Sequence, residues 1–321
     1  MANSVTRQLL LQEAAKRGWA VKTIGPRAQL CKITTPDGET ETFSGSRPMK
    51  SSANGRHIAV YKDLTLSFVQ SLGYDVPPYA TVDNFEAALP FLEQYGTVVV
   101  KPIDGSQSVG VSVGIETHEK LYAAISLAKN NSASGRVIIQ KQIKGKLYRI
   151  LVINGKVPVV TERRAARVIG DGVSSVSQLV ELLNQDPRRG HGSDTPLKVV
   201  EHKAVEAYLG SPAMQHIPAR GEIIRVSGIE SVSAGGEAAN VTDIVDQTWV
   251  AAACAITKAM GLFIAGFDIM TENIAQPIEG KYIPLLEVNS SPGLKIHEYP
   301  SQGEPVHIAP LLFNELFSTE S

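Results

Sequence analysis

The sequence predicts an α/β protein assembled from α+β subdomains, and three observations carry that expectation. Apolar runs of strand length recur along the chain, among them VVVK at 98–101, RVIIQ at 136–140, YRILVI at 148–153, IAGFDIM at 264–270 and LLEVN at 285–289. Between them lie segments with helical periodicity, notably HEKLYAAISLAK, SSVSQLVELLNQ and TWVAAACAITKAM. Several of the apolar runs are joined by short turns with no intervening helix, which predicts a mainly antiparallel sheet.

Composition narrows the class of function. With 321 residues, 43% hydrophobic and 20% charged, the chain is long enough for two or three subdomains with packed cores and lacks the bias of a disordered protein. A formal net charge of -1 supplies no broad basic field, so no nucleic-acid or membrane partner is expected and small molecules are. Cys31 and Cys254 stand far apart, without metal-type spacing or a disulfide framework. The opening leucine run is cut short by Gln12 and Glu13, too brief for a secretory h-region, and no apolar stretch reaches spanning length. A cytoplasmic location is the expectation that follows.

In chain order, the first helix is expected to run to about Arg17, followed by a strand AVKTIG and a hairpin in QLCKITTPDGETETFS around its Pro-Asp-Gly turn. GSRPMKSSANGRH, rich in Gly, Ser and basic residues, reads as a loop or boundary. A helix over 62–72, a strand over 78–82 and a helix capped by Asp83 close an N-terminal α/β unit, 1–96. The β-rich segment 97–165 forms a second subdomain and 166–321 a third. In the third, DPRRGHGSDTP is a polar, glycine-bearing loop and a candidate lid over 186–195.

Two constellations carry chemistry. VVVKPIDGSQSVGVSVG joins an apolar strand, Lys101 and a loop in which Gly105 and Gly110 let backbone N–H groups approach anionic oxygens, a phosphate-site pattern. Neither G-x-x-x-x-G-K-[ST] nor a strand-following G-x-G-x-x-G occurs, so another nucleotide architecture is required. Far downstream, Asp268 in GFDIM and Glu287 and Asn289 in LLEVNSSPG stand in otherwise apolar strands. The two-residue spacing puts Glu287 and Asn289 on one face. Oxygen ligands gathered there would cost several kcal/mol each if unpaired, a cost that Mg²⁺ with bound phosphates removes.

The ordered set Lys62 before a helix, VVKP, DGSQSVGV, RILVINGKVP, ERRAARVIGDG, NQDPRRG, AGFD and EVNSSPG resembles the ATP-grasp superfamily. IGDG with its helix, NQDPRRG and HEYPSQG resemble the branch that holds the ATP-grasp part of cyanophycin synthetase and the glutathione-synthetase part of the fused bacterial glutathione enzyme. The resemblance spans about 62–317. It implies nucleotide held between two α+β subdomains, beside a small N-terminal α/β subdomain, in a ligase that couples a carboxylate to an amine through an acyl phosphate. It further implies that Lys62 and Lys101 contact ATP phosphates under a loop comprising Ser106, Gln107, Ser108 and Val109. Gln140, Lys141, Gln142 and Ile143 would be the hinge facing adenine. Asp268, Glu287 and Asn289 would hold Mg²⁺, two ions in all, with Mn²⁺ as a substitute. Arg149 and Arg164 would lie near phosphates or the acyl substrate, and Arg188, Arg189, His191, Ser233, Gly235, Gly236 and His297 are substrate candidates.

The pattern departs from that family at a few positions. Gln140 stands where relatives carry Glu, and Leu147 where they carry an acidic ribose ligand, which Leu cannot replace by hydrogen bonding. No counterpart of the second ligase half of cyanophycin synthetase, or of the γ-glutamylcysteine-forming half of the glutathione enzyme, is recognisable. The expectation is a stand-alone ligase acting on an amino acid or short peptide, as a homodimer or homotetramer. A nucleotide-binding regulator with little turnover, and a ligase extending a protein C-terminus, are the competing expectations.

Overall fold

The computed structural model describes residues 4–25, 30–105, 109–192, 194–228, 230 and 232–317. The chain divides into two compact units, each made of separate stretches: Met1–Met49, Pro158–Thr242 and Ser291–Ser321 form one, Lys50–Val157 and Asp243–Ser290 the other. This grouping follows contacts, whereas the segments 1–96, 97–165 and 166–321 follow chain order.

The unit containing Lys50–Val157 is built on two sheets. In the first, antiparallel strands run in the order Tyr79–Val82, Val137–Lys141, Val98–Pro102, Ser112–Ile115. Helices Phe85–Tyr95 and His118–Asn130 cover one face, burying Ala88, Leu92, Leu121 and Ala128 against Val98, Val100, Val137 and Ile139. Period-2 alternation then turns Lys101 and Gln140 to the opposite face. The second sheet contains strands Lys146–Ile153, Ile264–Thr271 and Leu285–Asn289, antiparallel in that order. Ile150, Phe267 and Ile269 face Trp249, Ala252, Ala253 and Ile256 of helix Gln247–Met260, so Arg149 and Asp268 project from the other side.

In the other unit, helix Val5–Lys16 and the antiparallel strands Ala20–Ile24, Leu30–Thr34, Thr40–Ser44 and Arg47–Pro48 are joined by the C-terminal helix Ile308–Leu316. Trp19 stacks on Phe313 at 5.4 Å between ring centroids, and Phe43 lies 5.8 Å from the same ring. Strand Lys156–Arg164 pairs with Glu237–Asn240 from Thr161↔Asn240 to Arg164↔Glu237. Helix Val176–Asn184 starts in a capping box made by Ser175 and Gln178, as its sequence predicts.

Three local expectations need correction. GSRPMKSSANGRH is not all loop: after a boundary at Met49–Lys50 it enters helix Ala53–Val60, because the Ser52 hydroxyl caps Gly55 N–H at 3.2 Å. The next capping residue is Asn84, whose Oδ1 accepts from Ala87 N–H at 2.9 Å, and not Asp83. The 186–195 loop folds into a short parallel ladder, Arg189↔Leu197 and Gly190↔Lys198, with Arg188 turned back onto Asp186.

Gly55 shows why composition misled the reading of this segment. A Cβ there would collide with the backbone carbonyl oxygen of Met260, so the glycine allows helix Ala53–Val60 to lie against the end of helix Gln247–Met260. Gly55→Ala is therefore expected to destabilise the protein by about 1–3 kcal/mol. Gly293→Ala, where a Cβ meets nothing within 4 Å, is expected to stay within ~0.5 kcal/mol. Urea denaturation of both variants checks the pair.

Candidate nucleotide and metal site

Strand register assembles the site. Asp268 is paired with Arg149 on one side and Glu287 on the other, so three charged residues stand in a row across three antiparallel strands. Asn289, opposite Gly266, extends the row by one position on the same face. Arg149 and Asp268 are 6% and 3% exposed, and the guanidinium grips the carboxylate bidentately, through Nε to Oδ1 and NH2 to Oδ2 at 2.8 Å. Burial works against the charge on Arg149, but the Asp268 carboxylate outweighs it and raises the pKa above the ordinary arginine value.

The lysines come from other elements. Lys62 opens helix Lys62–Ser71, and its Nζ donates to Gly105 O at 2.5 Å and lies 3.9 Å from Glu287 Oε2. Lys101 Nζ donates to Gln140 Oε1 at 2.8 Å and to Leu286 O at 3.3 Å, while Gln140 Nε2 donates to Leu285 O at 3.3 Å. Gln140 thus ties Lys101 to the backbone of the strand that bears Glu287. Desolvation, reinforced by Lys62, pushes the Lys101 pKa down to about 8 against the pull of Glu287 and Asp268. Burial also lowers Lys62, which Glu287 and Asp104 partly restore.

Seven of the sequence-predicted residues therefore meet in one unit: Lys62, Lys101, Gln140, Arg149, Asp268, Glu287 and Asn289. Of the remaining hinge residues, Lys141 is exposed with its ammonium 5.8 Å from the Tyr95 ring centroid, Gln142 accepts from Gly114 N–H at 2.6 Å, and Ile143 is half-buried. Val109 is exposed, and Ser106, Gln107 and Ser108 lie outside the described residues. Leu147, on the same strand face as Arg149, is buried and stands opposite Met270.

The other candidates belong to the second unit. Arg164 pairs with Glu162, Nε to Oε1 at 2.7 Å, and donates to Gln302 Oε1 at 2.9 Å. His297 is buried, with Nδ1 2.8 Å from Thr161 Oγ1. Arg189 donates to Lys198 O and Gly235 O, and His191 is an exposed partner of Glu201 at 3.1 Å. Gly236 is buried, and the Ser233 side chain lies outside the description. The sequence reading missed Gln140 as the acceptor for Lys101, though both occupy non-core positions of strands whose alternate residues are core.

Among the described residues, no group of three or more His, Cys, Asp or Glu gathers as a metal cluster. The row supplies two carboxylates and one amide, and Asn289 Nδ2 donates to Glu287 Oε1 at 3.1 Å. An all-oxygen set of this kind suits a hard divalent cation such as Mg²⁺, and the Glu287 side chain, 30% exposed, leaves open coordination room. Asp268 retains lone pairs beyond those given to Arg149. The residues present fit the ion.

Fold and site together define an ATP-grasp protein, and the chain belongs to that superfamily. It is 34% identical over 277 residues to cyanophycin synthetase of Nostoc sp., covering 84% of this chain and 30% of that protein. It is 28% identical over 323 residues to the glutathione biosynthesis bifunctional protein GshAB of Streptococcus mutans, covering 98% of this chain and 42% of that protein. The crystal structure of a bifunctional glutathione synthetase from Pasteurella multocida superposes with a TM-score of 0.75 at 25% identity, over 98% of this chain and 43% of that one. The chain thus spans less than half the length of these relatives. No protein-family model matches it.

Two outcomes follow from the electrostatics. Asp268→Ala leaves the Arg149 charge buried without its partner and is expected to cost about 3–5 kcal/mol, while pairing Asp268→Leu with Arg149→Met recovers most of it, as denaturation of both variants would show. Lys101 has a folded pKa of about 8 against the ordinary lysine value of 10.5, so the native state binds fewer protons than the unfolded chain between those values. Stability is therefore expected to rise with pH across that window, and Lys101→Met to remove the rise in a pH series of urea melts.

Proposed function

We propose that this chain is an ATP-dependent carboxylate–amine ligase, forming a peptide or amide bond through an acyl phosphate and releasing ADP and phosphate, with an amino acid or short peptide as substrate. The observation that carries the reading is the cross-strand row Arg149, Asp268, Glu287, joined by Asn289 and faced by the ammonium groups of Lys62 and Lys101. Phosphorylating a carboxylate brings two anions together, so the site must supply positive charge in fixed positions. Lys62 and Lys101 provide it at the phosphate oxygens, with their ammonium groups held by Gly105 O and by Gln140.

Asp268, Glu287 and Asn289 would hold Mg²⁺, two ions in this reading, with Mn²⁺ able to substitute. When bound, the ion neutralises phosphate charge and polarises the transferring group. Arg149 fixes the Asp268 carboxylate so that it does not swing away when charge shifts in the site. The substrate carboxylate attacks the γ-phosphorus and ADP departs; an amine then attacks the acyl carbon and phosphate departs. Water must be kept out during the second step, since the acyl phosphate otherwise hydrolyses. Arg164, Arg188, Arg189, His191, Ser233, Gly235, Gly236 and His297 remain our candidates for substrate contacts. On family grounds we also place the protein in the cytoplasm as a homodimer or homotetramer; no helix among the described residues is long and apolar enough to cross a membrane.

The test is ADP release against a panel of amino acids and short peptides, with mass detection of the amide. Glu287→Gln, chosen because its side chain is partly exposed, should keep the wild-type melting temperature and lose about 100-fold or more in turnover. ATP consumption that yields no amide and is indifferent to Glu287→Gln would overturn the assignment in favour of a regulator.

A further inference from the structure

In the unit containing Lys50–Val157, the ammonium of Lys62 depends on the carbonyl of a glycine: Nζ donates to Gly105 O at 2.5 Å. Glycine is the residue least able to fix its own backbone direction, so the placement of that oxygen has to come from outside it. Part of the placement is backbone pairing. Lys62 N–H donates to Ile103 O at 3.0 Å, and Ile103 N–H donates to Arg136 O at 3.2 Å. The start of helix Lys62–Ser71, residue 103 and the turn before strand Val137–Lys141 thus form one ladder, which stops short of Gly105.

Asp104 spans the gap. Its half-buried carboxylate takes bonds from consecutive residues of the same turn: Oδ1 accepts from Ser132 Oγ at 2.9 Å and Ala133 N–H at 3.2 Å, and Oδ2 accepts from Ser134 N–H at 2.8 Å. Ser132 Oγ in turn accepts at 3.1 Å from the N–H of Arg136, the residue whose carbonyl holds Ile103. Burial raises the Asp104 pKa, but the hydrogen bonds from Ser132 and Ser134 outweigh it and keep the carboxyl below the ordinary aspartate value, so it is an anion at neutral pH. With both oxygens engaged, the carboxylate is fixed in orientation as well as position, and the peptide leading into Gly105 is fixed with it.

We propose that Asp104 is a positioning residue for nucleotide phosphate: clamped by the 132–134 turn, it sets the Gly105 carbonyl that aims the Lys62 ammonium. The inference rests on the nucleotide site proposed above and adds to it a residue that has no assigned contact with phosphate or metal. Asparagine cannot replace it, because an amide offers one acceptor oxygen and turns an NH2 group toward one of the donors that the second carboxylate oxygen receives. A purely structural clamp would disturb binding of the whole nucleotide, whereas a clamp acting through Lys62 disturbs only what the phosphates contribute.

The test is equilibrium titration of the full chain with Mg·ATP and with adenosine, read as the ratio of the two affinities, which is insensitive to any loss of folded protein. Asp104→Asn should weaken ATP about tenfold and adenosine by less than about twofold. Ser132→Ala, which removes the hydroxyl, should weaken ATP about threefold, and Ser132→Thr should restore it. In a Lys62→Met background, where ATP is already weakened, Asp104→Asn should have no further effect on ATP, because its route is gone. An equal loss of adenosine and ATP, or an undiminished loss in the Lys62→Met background, overturns the proposal. Loss of ATP through Lys62 in a protein that forms no amide from any acid and amine would leave Asp104 in its role and sink the ligase reading; amide formation with a KM for ATP indifferent to Asp104→Asn would do the reverse.

Discussion

The buried pair of Arg149 with Asp268 is the interaction on which the candidate site depends. Two ions taken out of water cost several kcal/mol each, and only near-ideal geometry returns that energy. Here the geometry comes from strand register: Lys146–Ile153 and Ile264–Thr271 set the two residues directly opposite, and Leu285–Asn289 adds Glu287 to the same row. The opposite face is locked by Trp249, Ile256, Phe267 and their neighbours, so a slip of one residue would bury the charges in that apolar layer and expose the core. Core packing and site geometry are therefore one constraint.

Against this row the protein holds two lysines under strain. Lys101 is 6% exposed and is satisfied by a neutral amide and a carbonyl, not by a direct carboxylate contact. An ammonium kept in that way weakens the folded state, and its position makes sense when an anion arrives to replace the lost hydration. Gln140 is the strap in this arrangement. Its two ends tie Lys101 in one sheet to the backbone of the strand carrying Glu287, so phosphate-facing charge and metal-facing oxygens keep a fixed spacing.

Much of this was legible in the chain itself. Strand and helix segments, the capping box at Ser175, the two-residue spacing of Glu287 and Asn289, and the ordered motifs from Lys62 to HEYPSQG all rest on local chemistry or on short-range periodicity. Where local signals were ambiguous the reading slipped: Ser52 and Gly55 look like loop residues until helix Gln247–Met260 lies against them, and Asn84 takes the cap from Asp83 by a single position.

By itself the sequence determined which elements form, which residue types could bind phosphate and metal, and which superfamily they resemble, because each of these depends on neighbours within a few positions. Only the tertiary structure decided that Asp268 sits between Arg149 and Glu287 and that Gln140 is occupied by Lys101. Those relations join residues up to 119 positions apart in the case of Arg149 and Asp268. Sheet register and core packing set such pairings, and neither is encoded in any local stretch of the chain.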